Sequence, residues 1–377
     1  MTEGVVAGTV LWGVVIARLL VPLTIPRWPL PGIVAALLLD GVDQTIFQVI
    51  IGGDLPGYQV YDKALDVHYL AIAYLSTIRN WADGLAFGVG RGLWYYRLVG
   101  VALFEATDQR WLLLVFPNTF EYYVIAIEAI KVAWNPFRLA ARTIVAIAAG
   151  IWILIKLPQE WWIHVAKLDA TDAIKEHVFG VPLSASWADA VANRPWVLLV
   201  AGLVLIGLVL AARWVAPRLP ARHWEPTLSA DAQAGAMGWA PPPRRLAPAA
   251  AFDRGFVEKV VLATFVTAIF GAILPGADRN IVQVGVAVAI IVAASTVISQ
   301  LLARRGVTWT STGLELLAVG VANASTVIVL GIVLPYRGGA PPIETALFLV
   351  GVITLIVVLY DRFHAIRRHR LTETTWR

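Results

Sequence analysis

The run PGIVAALLLDGVDQTIFQVIIG, residues 31 to 52, decides the fold class. Its length and apolar character match the roughly twenty residues a helix needs to cross about 30 Å of hydrocarbon. Asp40 nevertheless falls near its middle, and Asp43, Gln44 and Gln48 follow at spacings of three and four, which puts them near one helical face. A carboxylate at that depth is expensive and faces protein or water, never lipid, so the run reads both as a membrane span and as a candidate functional element.

Similar stretches recur along the chain. Of its 377 residues 59% are hydrophobic and 15% charged, and the mean hydropathy is +0.72, values outside the range of soluble domains of this length. The segments 4–23, 31–52, 65–81, 86–105, 111–130, 138–157, 196–213, 256–275, 280–301, 312–335 and 343–361 each read as a span. The expected fold is an all-α, polytopic transmembrane helical bundle of about eleven spans, within ten to twelve.

Arginine placement sets an expected orientation, because positively charged short loops stay in the cytoplasm. Arg213, Arg218, Arg222, Arg244, Arg245 and Arg254 share one connection, Arg304 and Arg305 another, and Arg362, Arg367, Arg368 and Arg370 the tail. Stepping back span by span assigns Lys131, Arg138, Arg142, Arg79, Arg18 and Arg27 to the same side, with the N-terminus outside and the C-terminus cytoplasmic. No basic segment precedes the first helix and no small-residue cleavage signal follows it, so it reads as a retained span. The same distribution accounts for the pI near 9.5 without a nucleic-acid partner. There is no cysteine, which excludes disulfides and thiolate chemistry. The preference for Arg over Lys and the abundance of Ala, Val and Leu point to a bacterial plasma membrane.

The chain divides into unlike halves. Residues 1–195 hold 14 basic and 16 acidic side chains, and residues 196–377 hold 16 and 9. The first half is expected to carry the polar site, with an extracytoplasmic amphipathic segment over 158–180. The second is apolar, with polar interruptions at Glu315, Asn323, Ser325 and Thr326, and contains a cytoplasmic Pro/Ala/Arg linker over 214–254 that reads as having little fixed structure. No internal repeat of the kind that builds many secondary transporters is evident.

Three polar clusters carry candidate chemistry. Asp40 and Asp43 are candidate catalytic groups, with Gln44, Arg91, Arg97 and Asn118 as candidate substrate-binding partners and Glu121 as a further acid or base. Asp62 and Asp66 share a helical face near a helix start and can hold Mg2+ or Mn2+, with His68 beside them as a candidate catalytic group. Glu160 and His164, four residues apart, suit a mixed carboxylate and histidine site for a metal such as Zn2+. Each cluster also has a structural reading, as a helix-tying ion-pair network, as acids complementing a helix dipole, or as a solvated helix face. Pro117, ahead of Asn118, is expected to interrupt its helix and free a backbone carbonyl. Trp94, Tyr95, Tyr96, Tyr122 and Tyr123 suit the wall of a lipid pocket or simple packing.

Asp40 and Asp43, followed by Gly57, Asp62 and Asp66, loosely resemble the Asp-x-x-Asp-Gly-x-x-Ala-Arg and Gly-x-x-x-Asp-x-x-x-Asp motif of the CDP-alcohol phosphatidyltransferases, which hold divalent metals on those carboxylates. Gln44 stands where that motif has glycine, Phe47 and Gln48 replace its Ala-Arg pair, the final spacing is one residue longer, and the expected orientation puts the second pair outside. The chain is not assigned to that family. Walker A, Rossmann and Gly-x-Ser-x-Gly signatures are absent from the sequence. Three functions remain open: a membrane-embedded enzyme acting on a lipid-linked or amphipathic substrate, such as a transferase; a proton- or cation-coupled transport protein; and a non-catalytic subunit of a complex with unidentified protein partners.

Overall fold

A computed structural model describes residues 2–51, 58–81, 84–107, 109–166, 170–241, 254–274, 281–304, 312–333 and 342–374. It is 85% helix, with no strand among the described residues. The longer helices are α1 (Thr2–Leu20), α2 (Pro29–Ile51), α3 (Tyr58–Asn80), α4 (Gly84–Thr107), α5 (Trp111–Val115), α6 (Thr119–Lys131), α7 (Ala141–Ile163), α8 (Trp196–Val215), α9 (Ala230–Ala236), α10 (Arg254–Ile273), α11 (Ile281–Arg304), α12 (Thr312–Val333) and α13 (Ile343–Thr374). Each of the eleven expected segments is occupied by helix over most of its length. Among the described residues, six candidate spans are long and apolar enough to cross a membrane: Trp111–Lys131, Ala141–Ile163, Trp196–Arg218, Gln283–Leu301, Thr312–Val329 and Ile343–Thr372.

The bundle is built around α3. This helix carries Asp62, Asp66, His68, Arg79 and Asn80 and is too polar to count among those six, yet from Ala64 to Trp81 nearly all of it is buried. It contacts α1, α2, α4 and α6 on one side and α10 and α13 on the other. Polar side chains survive there because they are bonded. Ser76 donates to the Ile25 carbonyl, and Arg79 and Asn80 both donate to the Pro26 carbonyl at 2.9 and 3.0 Å. The last helix caps the central one: Arg367 donates to the Trp81 carbonyl at 2.8 Å and Arg370 to the Arg79 carbonyl at 2.5 Å, answering acceptors a helix end leaves open.

The polar interruptions of the second half work as glue between helices. Asn323 of α12 takes a hydrogen bond from Ser295 of α11 and donates to Thr354 of α13 at 2.9 Å. Lys259 pairs with Asp361 and Arg362 with Glu315. Ser325 and Thr326 bond back to carbonyls of their own helix. In contrast, α8 leaves no residue buried against the rest of the protein.

The connection after α8 corrects the expectation of a loose linker. His223 and Thr227 donate backbone N–H groups to the Ala133 and Val132 carbonyls, and Ala230 donates to the Arg27 carbonyl, all at 2.9 Å. Asp231 pairs with Arg79, and the Trp239 ring stacks on Phe137. A Pro/Ala/Arg composition hid these anchors, because two tryptophans and a few backbone bonds are enough to fasten the segment. Residues 242–253 of the expected linker lie outside the described residues.

The strongest buried pair at this end is Glu128 with Lys131, both 1% exposed, joined at 2.9 Å, with the Trp81 indole donating to the same carboxylate at 2.6 Å. Removing one member of a buried pair strands the other charge and costs about 3–5 kcal/mol. Glu128→Ala is therefore expected to lower the thermal midpoint of the detergent-solubilised protein markedly; an unchanged midpoint would show that the pair contributes nothing to the base of the bundle.

Candidate functional site

The site begins with Arg18. It lies in the last turn of α1 and is only 3% exposed, with Leu19, Leu20 and a 3-10 turn over Val21–Thr24 still to follow. Its Nη1 donates to Asp43 and, at 2.7 Å, to Asp62; its Nη2 donates to Asp40 and, at 2.7 Å, to Asp66. Helical spacing makes this possible, since residues three apart on α2 and four apart on α3 each project from one face. Four carboxylates share one guanidinium at the meeting point of three helices, an excess of acid groups that protons or a further cation must relieve.

Arg18 is thus the counter-ion of the cluster, not the loop charge that its position near a helix end implies. Its signal in the sequence is the apolar run on both sides of it, Gly13 to Pro22. Asp43 is buried behind the guanidinium. Asp40, Asp62 and Asp66 are partly exposed, and each offers a carboxylate oxygen within 4.8 Å of the others. Among the described residues this is the group able to hold a metal ion. Three oxygen donors suit a hard divalent cation that completes its shell with water or substrate oxygens.

These three carboxylates open into a cavity of about 440 Å³. Its other walls come from the break at Pro117. Helix α5 stops at Val115 and α6 resumes at Thr119, so the proline ends one helix instead of kinking it. The freed backbone groups are answered by neighbours, as an apolar surrounding demands. Tyr96 donates to the Val115 carbonyl at 2.7 Å, Arg97 to the Phe116 carbonyl at 3.0 Å, and the Asn118 N–H donates to Glu160 at 3.2 Å. Glu121 follows on α6, accepting from Tyr69 and from the Asn118 amide, each at 2.8 Å, with Lys156 at 3.7 Å.

Lys156 reaches the cavity from a π-helical stretch of α7, Ile151–Lys156. Pro158 has no N–H to return to the carbonyl four residues before it, and the Leu157 N–H reaches back five residues to Trp152. The ammonium sits 3.9 Å above the Tyr122 ring. Asp40, Asp62, Asp66, Arg97, Asn118, Glu121 and Glu160 therefore line one cavity, and sequence reasoning missed Arg18, Tyr69 and Lys156 beside them.

Other expected site residues fall elsewhere. The His68 Nε2 lies 3.1 Å from the Leu19 carbonyl and its ring packs on Phe270, so it faces the α1 and α10 contacts and not the carboxylates. Two residues after Asp66 on a helix is the wrong face. Arg91 pairs with Glu258 at 3.2 Å, in a group that also takes the Tyr74 and Tyr360 hydroxyls. Glu160 stands with Asn118, apart from the metal-competent group. The side chains of Gln44 and His164, and Gly57, lie outside the described residues.

Comparison of the chain with protein-family models, curated proteins and solved structures finds no match. Fold and site together define a helical protein with several candidate membrane spans and an acidic triad.

Arg18→Met is expected to destabilise the protein by about 3 kcal/mol or more, because four carboxylates then lose their shared cation. Asp43→Asn introduced into the same chain should recover part of that loss. Denaturant titration of the wild type, the single variant and the double variant measures both terms; no recovery would mean that the charges at Arg18 are not coupled.

Proposed function

We propose that the protein is a polytopic plasma-membrane enzyme of about eleven spans that acts on a lipid-linked or amphipathic substrate at the cavity between α2, α3, α4, α6 and α7. The observation that carries this reading is the cavity itself. Its one wall is an acidic cluster and its other carries Arg97 and Lys156 beside Glu121 and Glu160. A bilayer-embedded group of four carboxylates and one arginine calls either for protons or for further positive charge. A divalent cation on Asp40, Asp62 and Asp66 supplies it, and when bound also polarises an oxygen of the substrate.

In this reading Asp40, Asp62 and Asp66 hold the cation, Asp43 and Arg18 fix their positions, and Arg97 and Lys156 face the anionic part of the substrate. Glu121, held by Tyr69 and Asn118, is the acid or base group of the wall. The convergence of the four aspartates gives the loose phosphatidyltransferase resemblance a spatial counterpart, while the departures at Gln44, Phe47 and Gln48 stand. Arg27, Arg79 and the segment 223–239 meet at the opposite end of α3 from Asp62. That end is the cytoplasmic one in the orientation we favour, with the N-terminus outside and the cavity opening outward.

An excess of acid groups at mid-bundle also suits proton- or cation-coupled transport, which is the second reading. Metal titration of the purified protein with Mg2+, Mn2+ or Zn2+ separates them. Wild type is expected to bind one ion, and Asp62→Asn and Asp66→Asn to bind at least about tenfold more weakly. Equal and negligible binding in all three would sink the metal proposal, and an ion flux in reconstituted vesicles abolished by Asp40→Asn would favour transport.

A further inference from the structure

The cavity wall opposite the aspartates keeps hydrogen-bonding capacity that the described protein leaves unused. Trp94 is 1% exposed and lines the cavity, and its indole N–H has no acceptor among the described residues. The Arg97 Nε and the Asn118 Oδ1, both in the same cavity wall, are likewise unanswered. The Trp94 ring is otherwise well placed, 5.7 Å from Tyr74 and 5.5 Å from Phe120 between ring centres. A phenylalanine would keep part of that ring stacking without a buried donor, whose burial unpaired costs stability. The indole nitrogen is thus a feature that packing does not require.

Two unanswered donors, one of them on the Arg97 guanidinium, select an acceptor, and an anionic one best, since Lys156 in the same wall already offsets Glu121. The Asn118 oxygen can take a hydrogen from the same group. The face of α4 that begins with Trp94 and Arg97 continues through Leu98, Val101 and Phe104, all lining the cavity. From Trp94 to Phe104 this apolar continuation spans about 15 Å at 1.5 Å per residue, enough for a short isoprenoid or acyl chain. Phosphate, with several oxygens, is the anion that can meet this corner and a cation on the aspartates at once.

We infer that Trp94, Arg97 and Asn118 form the head-group subsite of the cavity and that it takes a phosphate monoester carried on an apolar chain. This rests on the enzymatic reading of the same cavity and names its substrate class. Trp94 is a specificity-determining residue here, kept at a cost to stability.

The test uses the full chain in detergent with Mg2+, titrated with farnesyl phosphate, farnesol and inorganic phosphate. Trp94→Phe is expected to weaken farnesyl phosphate about tenfold and to leave farnesol binding unchanged, a split that the void left by the smaller ring does not by itself produce. Farnesyl phosphate should bind more tightly than either farnesol or inorganic phosphate. Unchanged affinity in Trp94→Phe overturns the subsite, as does an equal loss of affinity for farnesyl phosphate and farnesol, which would mark a packing role. Inorganic phosphate binding as tightly as farnesyl phosphate overturns the apolar chain. If the wild type binds no metal but its farnesyl phosphate affinity still depends on Trp94, the subsite stands and the metal reading fails; if metal binds and Trp94→Phe is silent, the subsite alone fails.

Discussion

Everything in the site half is organised by the guanidinium of Arg18. Its two terminal nitrogens reach carboxylates from two other helices, and no single ion pair would hold α1, α2 and α3 at one point in this way. The planar fork of arginine suits such sharing, whereas lysine offers a single point charge. The arrangement is also unbalanced. Asp43 is buried where it meets the guanidinium, while Asp40, Asp62 and Asp66 remain open on the cavity side. Structural anchoring and an open acidic face come from the same four residues.

The opposite wall arises from a different constraint, the inability of a buried backbone to leave its polar groups unmet. Pro117 interrupts what would otherwise be one continuous span, and each carbonyl or amide it releases draws in a polar side chain. Tyr96, Arg97 and Glu160 are held at the cavity by those bonds. The π-helical stretch beside Pro158 adds Lys156 in the same region. Two prolines, forty-one residues apart in sequence, thereby create the mixed-charge side of the pocket, where Arg97 and Lys156 stand beside Glu121 and Glu160.

The helical architecture was legible because it depends on segment length and composition, and the apolar runs coincide with helices. The acidic faces were legible too, since Asp40 with Asp43 and Asp62 with Asp66 follow helical spacing. Arg18 was not, because counting arginines near helix ends treats all of them as loop charges, and only the turn and a half of apolar chain after it betrays its depth. Helix α3 has a composition too polar for an obvious span, yet it is the centre of the bundle, because its polar groups find partners on four neighbours. The displacement of His68 and Arg91 from the site could have been read from helical angle alone, whereas the convergence of α6 and α7 on the aspartates required the fold.

The arginines that close the end of α3 come from the last helix of the chain. During synthesis the central helix emerges from the ribosome early, and its final carbonyls wait for Arg367 and Arg370, nearly three hundred residues later. Through that interval the pocket-bearing half can insert and gather around Arg18, but its core helix stays unsealed at one end. Closure of the site half is thereby tied to synthesis of α13, so a product truncated ahead of it would carry the aspartates without those two bonds at the end of their helix.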